Sequence, residues 1–266
     1  MKLLVTGGAG YLGAELCRLA VERGWDVLAT QLETSPPYGR PVRADVREDD
    51  AVERLCLRHG PDAIVHTAYV ENGPAMESTI VRGSYNVARA AHRCRARLIH
   101  LSTDLVFDGE HGAPYGEDAD PRPVSAYGAA KLEAERLVGR VDPEALVVRT
   151  SLLYGKAEPG PQERLALRDD VVFFTDEIRC PTRVGELADA LLELALVDVH
   201  GLLHVAAPAA VSRYELARRL RAAQGLDPGA ARGAPSPRAG RARNVALDSS
   251  RAASLTGTEL SPLPDS

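Results

Sequence analysis

Tyr127 and Lys131 stand four residues apart at the start of a predicted helix, so both side chains leave the same helical face. With eight tyrosines and three lysines in 266 residues, chance would place roughly 0.1 such pairs in the chain. Upstream, the apolar run Leu98–Leu101 reads as a strand that ends in Ser102-Thr103-Asp104 and presents hydroxyls at its carboxyl end. A phenol, a nearby ammonium and a hydroxyl make a proton-transfer site for a carbonyl. The lysine charge favours phenolate and draws the phenol toward working pH, while a Ser or Thr hydroxyl can hydrogen-bond the substrate oxygen. The rarity of lysine sharpens the reading. Only Lys2, Lys131 and Lys156 are lysine among 32 basic residues, so a lysine kept here is kept for its compact ammonium, which arginine cannot imitate.

Such a site needs a hydride donor, and the chain begins with a seat for one. TGGAGYLG (Thr6 to Gly13) follows the apolar run Leu3-Leu4-Val5 and opens a helix with Leu12, Leu16, Leu19 and Ala20 on one side. Gly7 permits the tight turn, Gly10 lets the backbone approach the phosphates of a dinucleotide, and Gly13 allows close packing of helix on strand. Gly7, Gly10, Tyr11, Leu12 and Gly13 therefore form the expected pyrophosphate cradle at the positive end of the helix.

The elements that position these groups alternate. Strands read at Lys2–Thr6, Asp26–Thr30, Ala63–His66, Arg97–Leu101 and Ala145–Arg149, and helices at Tyr11–Arg23, Asp50–His59, Thr79–Arg93 and Tyr127–Val138. This is an α/β chain, a Rossmann-type doubly wound parallel sheet covered on both faces, with its crevice at the carboxyl ends of the strands. The pattern loosens after Arg149. Gly155–Asp170 reads as a loop, followed by a strand (Val171–Phe174), a helix (Val184–Leu196), a strand (Leu202–Val205) and a helix (Ser212–Gln224). From Gly225 onward the Ala, Arg, Gly and Pro content reads as irregular, with one strand around Asn244–Leu247. The expected division is a dinucleotide-binding core over residues 1–150 and a small C-terminal substrate lobe over 151–266, interleaved with the last core elements.

Composition narrows the partners. A net charge of −5 gives no electrostatic case for nucleic acid, and no apolar run approaches a membrane span. The N-terminus enters a strand at once, which leaves no room for a signal peptide and implies the cytoplasm. Cys17, Cys56, Cys94 and Cys180 are widely spaced and read as reduced thiols, and His66, His100 and His204 as core histidines without metal-ligand spacing. Trp25 and Tyr69 fit ligand contact or packing equally.

Taken together, TGGAGYLG, YGAAK (Tyr127 to Lys131) and STDLVFDG (Ser102 to Gly109) resemble the motifs of the extended short-chain dehydrogenases/reductases, in their dTDP-4-dehydrorhamnose reductase-like branch. RTSLLYG (Arg149 to Gly155), CPTRVGELADA (Cys180 to Ala190), GLLHVAA (Gly201 to Ala207) and RNVALDSSRA (Arg243 to Ala252) extend the resemblance over most of residues 1–252. It implies that Thr103 binds the substrate carbonyl, assisted by Asp104, that Tyr127 is the proton donor and that Lys131 is its partner on the cofactor ribose. It also implies that Asp45 and Val46 lie beside the adenine, that Thr67 and Ala68 line the cofactor, and that the protein forms a homodimer through a helix pair.

Three departures from the family pattern bear on function. Gln31 stands where an acidic residue would grip the ribose 2′-hydroxyl of NAD, with Arg40 and Arg43 downstream, so the cofactor is NADP or NAD with a lean toward NADP. Ile80 stands where the family places an asparagine that anchors a proton-relaying water. Gly155–Asp170 is shorter than the substrate-lobe segment of the branch. The implied activity is NAD(P)-dependent reduction of a ketone, a 4-keto nucleotide-sugar or related small molecule. A nucleotide-sugar 4-epimerase and a catalytically silent NADP-binding regulatory subunit are the alternatives. A sugar dehydratase would need a glutamate base after Asp104, where Leu105 stands.

Overall fold

The computed structural model describes residues 1–155, 159–237 and 240–263, in two compact units. The first comprises Met1–Ser102, Ala129–Val148 and Ala188–Leu203; the second comprises Thr103–Gly128, Arg149–Leu187 and His204–Ser266. The chain thus crosses between units near the expected boundary at 150, and also around 103, 128, 188 and 204.

The first unit is organised by β1 (Lys2–Thr6), α1 (Tyr11–Glu22), β2 (Asp26–Gln31), β3 (Arg40–Arg43), α2 (Ala51–His59), β4 (Ala63–His66), α3 (Gly83–Cys94), β5 (Arg97–Thr103), α4 (Ala126–Val141) and β6 (Leu146–Thr150). Seven strands form one sheet in the order Gly201–His204, β6, β5, β4, β1, β2, β3. β1 is paired in parallel with both β2 (Leu3↔Val27) and β4 (Leu3↔Ala63), and β4 in parallel with β5 (Ile64↔Leu98). Central strands of this kind are apolar on both faces. Leu4, Leu28, Ile64 and Leu98 accordingly pack in one buried cluster with Val87, Ala88 and Ala91 of α3.

Two elements of this unit differ from the sequence expectation. β3 joins the sheet as an edge strand, parallel to β2 from Leu28↔Arg40 to Gln31↔Arg43. Its sequence, Arg-Pro-Val-Arg, carries no strand signal, and its proline is tolerated because an edge strand need not donate on both sides. The helix expected over Thr79–Arg93 is divided: Ser78–Arg82 is a π-helical turn and α3 continues from it. Ile80 lies inside that turn and is wholly buried.

The second unit is built of short pieces. Val172–Phe174 pairs in parallel with Arg232–Ala234, Leu153–Tyr154 in parallel with Thr182–Arg183, and Ile178–Arg179 antiparallel with Val211–Ser212. Tyr154, Phe173, Leu216, Leu220 and Leu263 form its buried cluster. The expected loop Gly155–Asp170 contains a helix, Pro161–Ala166, started by the proline at its first turn; residues 156–158 of that stretch, Lys156 among them, lie outside the described residues. Asn244–Leu247 is not a strand but makes isolated bridges, Asn244 to Ile178 and Leu247 to Tyr115. The stretch beyond Gly225 also holds the strand Arg232–Ala234 and a helix, Ser250–Leu255, where irregular chain was expected. Among the described residues, no helix is long and apolar enough to cross a membrane.

Candidate active site

The dinucleotide seat is fixed by backbone geometry. Gly7 adopts φ +73°, and a Cβ there would stand 2.9 Å from the Ala68 backbone. At Gly13 a Cβ would fall on the carbonyl oxygen of Gly7. The turn is tied to its neighbours by Gly7 N–H to Thr30 Oγ1 (3.0 Å) and Gly8 N–H to the Thr30 carbonyl (3.1 Å). Thr67 Oγ1 donates to the Thr6 carbonyl at 2.7 Å, and Thr67 and Ala68 border the turn. Tyr11 and Leu12 begin α1, whose twelve residues point their N-terminus at this turn.

At the other end of the seat the structure separates the expected adenine neighbours. The Asp45 carboxylate is engaged by Arg47, through the backbone N–H and Nε (each 2.9 Å), and that guanidinium holds its pKa below the usual range. Val46 is buried, with its carbonyl accepting from Asn86 Nδ2 at 3.0 Å. Gln31 ends β2, and its Oε1 is buried with no hydrogen-bond partner among the described residues. Beside it a cavity of about 370 Å³ is bordered by Leu32, Asp45, Arg43, Arg54 and Arg58. A turn that no side chain can share, a helix N-terminus and an unpaired polar group beyond it fit a dinucleotide.

Lys131 is buried in the first unit. Its Nζ donates to the Leu101 carbonyl at 3.0 Å and lies 5.4 Å from the centroid of the Tyr69 ring. Burial lowers its pKa to about 8, opposed by the charge of Glu135 one turn along the helix. Ser102 is not a free hydroxyl: it donates to Glu135 Oε1 at 2.5 Å. Behind Lys131 lie two buried imidazoles with ring centroids 5.3 Å apart. His66 bridges Thr6 Oγ1 (2.6 Å) and Ser84 Oγ (3.2 Å), whereas both ring nitrogens of His100 are unpaired among the described residues.

Tyr127 and Thr103 belong to the second unit. Tyr127 is half-buried in the first turn of α4, one turn before Lys131 on that helix. The helix starts with Ser125 Oγ accepting from Gly128 N–H at 3.1 Å. Gly128 is required there, because a Cβ would fall on the carbonyl oxygen of Leu105. Thr103 Oγ1 accepts from Leu105 N–H (3.2 Å) and donates to Asp104 Oδ1 (3.1 Å). Asp104 is wholly buried against Arg179, whose Nε donates to Oδ2 at 2.6 Å and whose Nη2 donates to Oδ1, and Ser151 Oγ donates to Oδ2 at 2.6 Å. Sequence reasoning missed Arg179, Ser151 and Glu135. Only the dipeptide Arg179-Cys180 ahead of Pro181-Thr182 offered a signal, and nothing in it pointed at Asp104.

The sheet order and the glycine turn define a Rossmann-type fold. Comparison with known proteins carries this further: residues 1–264 match the family model described as RmlD substrate binding domain. A dTDP-4-dehydrorhamnose reductase of Mycobacterium tuberculosis is 38% identical over 245 residues, covering 85% of this chain and 77% of that protein. The crystal structure of a hypothetical dTDP-4-dehydrorhamnose reductase from Sulfolobus tokodaii superposes with TM-score 0.85 at 28% identity, covering 99% of this chain and 98% of that one. A dTDP-4-dehydrorhamnose reductase from Bacillus anthracis, crystallised in complex with NADP, shares the fold with TM-score 0.83 at 23% identity, covering 98% and 94%. The chain belongs to the RmlD substrate binding domain family, and the resemblance read from its motifs is to the same branch.

Proposed function

We propose that this protein is an NAD(P)-dependent reductase acting on the ketone of a nucleotide-linked sugar of the dTDP-4-dehydrorhamnose type. The observation that carries the reading is Lys131, a buried ammonium with its pKa brought down to about 8 and fixed to β5, one helical turn after the half-buried Tyr127. Gly7, Gly10, Tyr11, Leu12 and Gly13 hold the pyrophosphate, Gln31, Asp45 and Val46 border the adenosine, and Thr67 and Ala68 flank the turn. A bound nicotinamide supplies the hydride. Tyr127 gives its phenolic proton to the carbonyl oxygen, the Lys131 charge makes that proton easier to release, and Thr103 orients the sugar. Structures that share the fold were crystallised with NADP or with NAD, and Gln31 in place of a carboxylate supports NADPH as the preferred donor here.

The burial of Ile80 favours one second reading, a cofactor-binding protein without turnover, because no side-chain polar atom is available at that position. One assay separates the two. The protein is mixed with NADPH and dTDP-4-dehydrorhamnose and the loss of nicotinamide absorbance is followed, with cofactor binding titrated by fluorescence. The reductase consumes NADPH, and Tyr127→Phe lowers the rate by at least about 10²-fold while leaving cofactor affinity nearly intact. Cofactor binding without consumption establishes the second reading.

A further inference from the structure

Tyr69 is more than half exposed, at 53%, yet its ring stands against a buried charge. It directly follows Thr67 and Ala68 beyond the end of β4, and the Ala68 backbone is what a side chain at Gly7 would strike. From that anchor the ring reaches Lys131 of α4, whose Nζ lies 5.4 Å from the ring centroid. A cation within about 6 Å of an aromatic face is drawn to the ring quadrupole, and more strongly where water is kept away. The same ammonium donates to the Leu101 carbonyl of β5 at 3.0 Å, so it is gripped from the ends of two neighbouring strands.

The other charged and titratable groups facing the ammonium are few among the described residues. Glu135, one turn further along α4, acts on it by charge, but Oε1 of that carboxylate already receives Ser102 Oγ at 2.5 Å. His66 of β4 and His100 of β5 are kept neutral by burial, and Tyr127 stands one turn earlier on α4. We propose that Tyr69 is a positioning residue for Lys131: its ring caps the ammonium, keeps it charged and fixes it between β4 and β5 without supplying a negative charge. A carboxylate in that place would pair with the lysine and cancel its field at Tyr127. The ring attracts the cation and leaves that field in place. Nor does the Tyr69 phenol ionise in the neutral range, because burial and the charge of Glu71 carry it above its usual value. The inference rests on the reductase reading and adds to it a second aromatic group at Lys131, with a task different from proton donation.

The test is the titration of Lys131, followed by NMR in the whole protein carrying carbon-13 at the lysine ε-carbons. Three lysines give three signals, and Lys131→Met identifies the one in question. Wild type is compared with Tyr69→Phe and with protein carrying pentafluorophenylalanine at position 69, whose ring keeps its shape but no longer attracts a cation. Tyr69→Phe should titrate within about 0.3 pH unit of wild type, and the fluorinated ring should lower the midpoint by about half to one pH unit. The same series in a Tyr127→Phe background keeps the neighbouring phenol out of the reading. A midpoint that stays or rises with the fluorinated ring overturns the proposal. So does an equal fall in Tyr69→Phe, which would assign the effect to the hydroxyl. Turnover is a separate readout: the alkaline loss of kcat/KM with NADPH and dTDP-4-dehydrorhamnose should move down in pH with the midpoint. If the midpoint falls and no protein consumes NADPH, the reductase reading fails alone and the role of Tyr69 stands. If turnover is seen and the midpoint does not fall, the role of Tyr69 fails alone.

Discussion

Lys131 Nζ is hydrogen-bonded to the carbonyl oxygen of Leu101 at 3.0 Å, so the ammonium is held against β5 by a group that never changes charge. A backbone carbonyl orients the amine without neutralising it, and burial is left to set its proton affinity. The pKa, drawn down from 10.5 to about 8, is the result.

This makes Lys131 a site where stability is given up for chemistry. The folded protein holds a charge that its unfolded chain would carry in water, and at 1.36 kcal/mol per pKa unit the burden is roughly 3 kcal/mol at neutral pH. The depressed pKa means that the unfolded state binds more protons between about pH 8 and 10.5, so stability contributed by this group rises with pH across that window. Lys131→Met is expected to be at least as stable as wild type to urea at pH 7 and to lose most of its activity. A variant that is markedly less stable would show that the Leu101 contact outweighs the burial cost.

Acid should unfold the first unit through its histidines. Burial pushes His66 down to about 3 and His100 well below its ordinary range, with the Lys131 charge acting in the same direction on both. Unfolded imidazoles take up protons below about pH 6.5 and these two do not, so their contribution is intact above that pH and is lost as pH falls toward 3. Each histidine adds at most about 1.4 kcal/mol per pH unit to the slope. Urea midpoints measured from pH 6.5 to 4.5 should decline steeply in wild type and less so in His100→Leu. Identical slopes would rule the histidines out as the cause.

Ile80→Asn tests the π-helical turn. The family's asparagine position is filled here by a wholly buried isoleucine, so an amide introduced there loses its water. Burying an unpaired polar group costs on the order of 1–3 kcal/mol, and the isoleucine's own packing is lost as well. The variant is expected to melt several degrees below wild type. Unchanged melting together with faster turnover would mean that the turn opens to admit a water.

Cofactor preference should follow the end of β2. Gln31 brings no negative charge to repel a 2′-phosphate, and the cavity beside it is bordered by three arginines, Arg43, Arg54 and Arg58, against two carboxylates, Asp45 and Glu48. NADPH is expected to bind at least as tightly as NADH, with the difference shrinking as salt is raised. Gln31→Asp should reverse the order. A tenfold preference of wild type for NADH contradicts this account.

Local signals were legible in the sequence, and distant pairings were not. The glycine turn and the Tyr127/Lys131 spacing each lie within eight residues, and backbone sterics or helical pitch dictates what they do. The edge strand Arg40–Arg43 was invisible, because its order comes from β2 beside it and not from its own residues. The π-helical turn was hidden for a related reason: Ile80 looks like any apolar residue of an amphipathic helix. Arg179 and Asp104 are 75 residues apart, and one sequence without relatives cannot join them. Asp45, which the resemblance implied lies beside the adenine, has its carboxylate engaged by a neighbour two residues on, a contact the sequence did not suggest.

Gly13 lies so close to the Gly7 carbonyl that no side chain can enter between α1 and the turn. For anyone redesigning the protein, this splits the dinucleotide seat into two regions with different freedom. At Gly7 and Gly13 the pyrophosphate end is set by backbone and admits no tuning, since a side chain at either position collides before it can discriminate. The far end is written in side chains on β2, β3 and α2, which can be exchanged one at a time without disturbing the turn. Changes of redox currency should therefore accumulate around Gln31 and Arg43, and a library confined to those positions would sample the accessible choices.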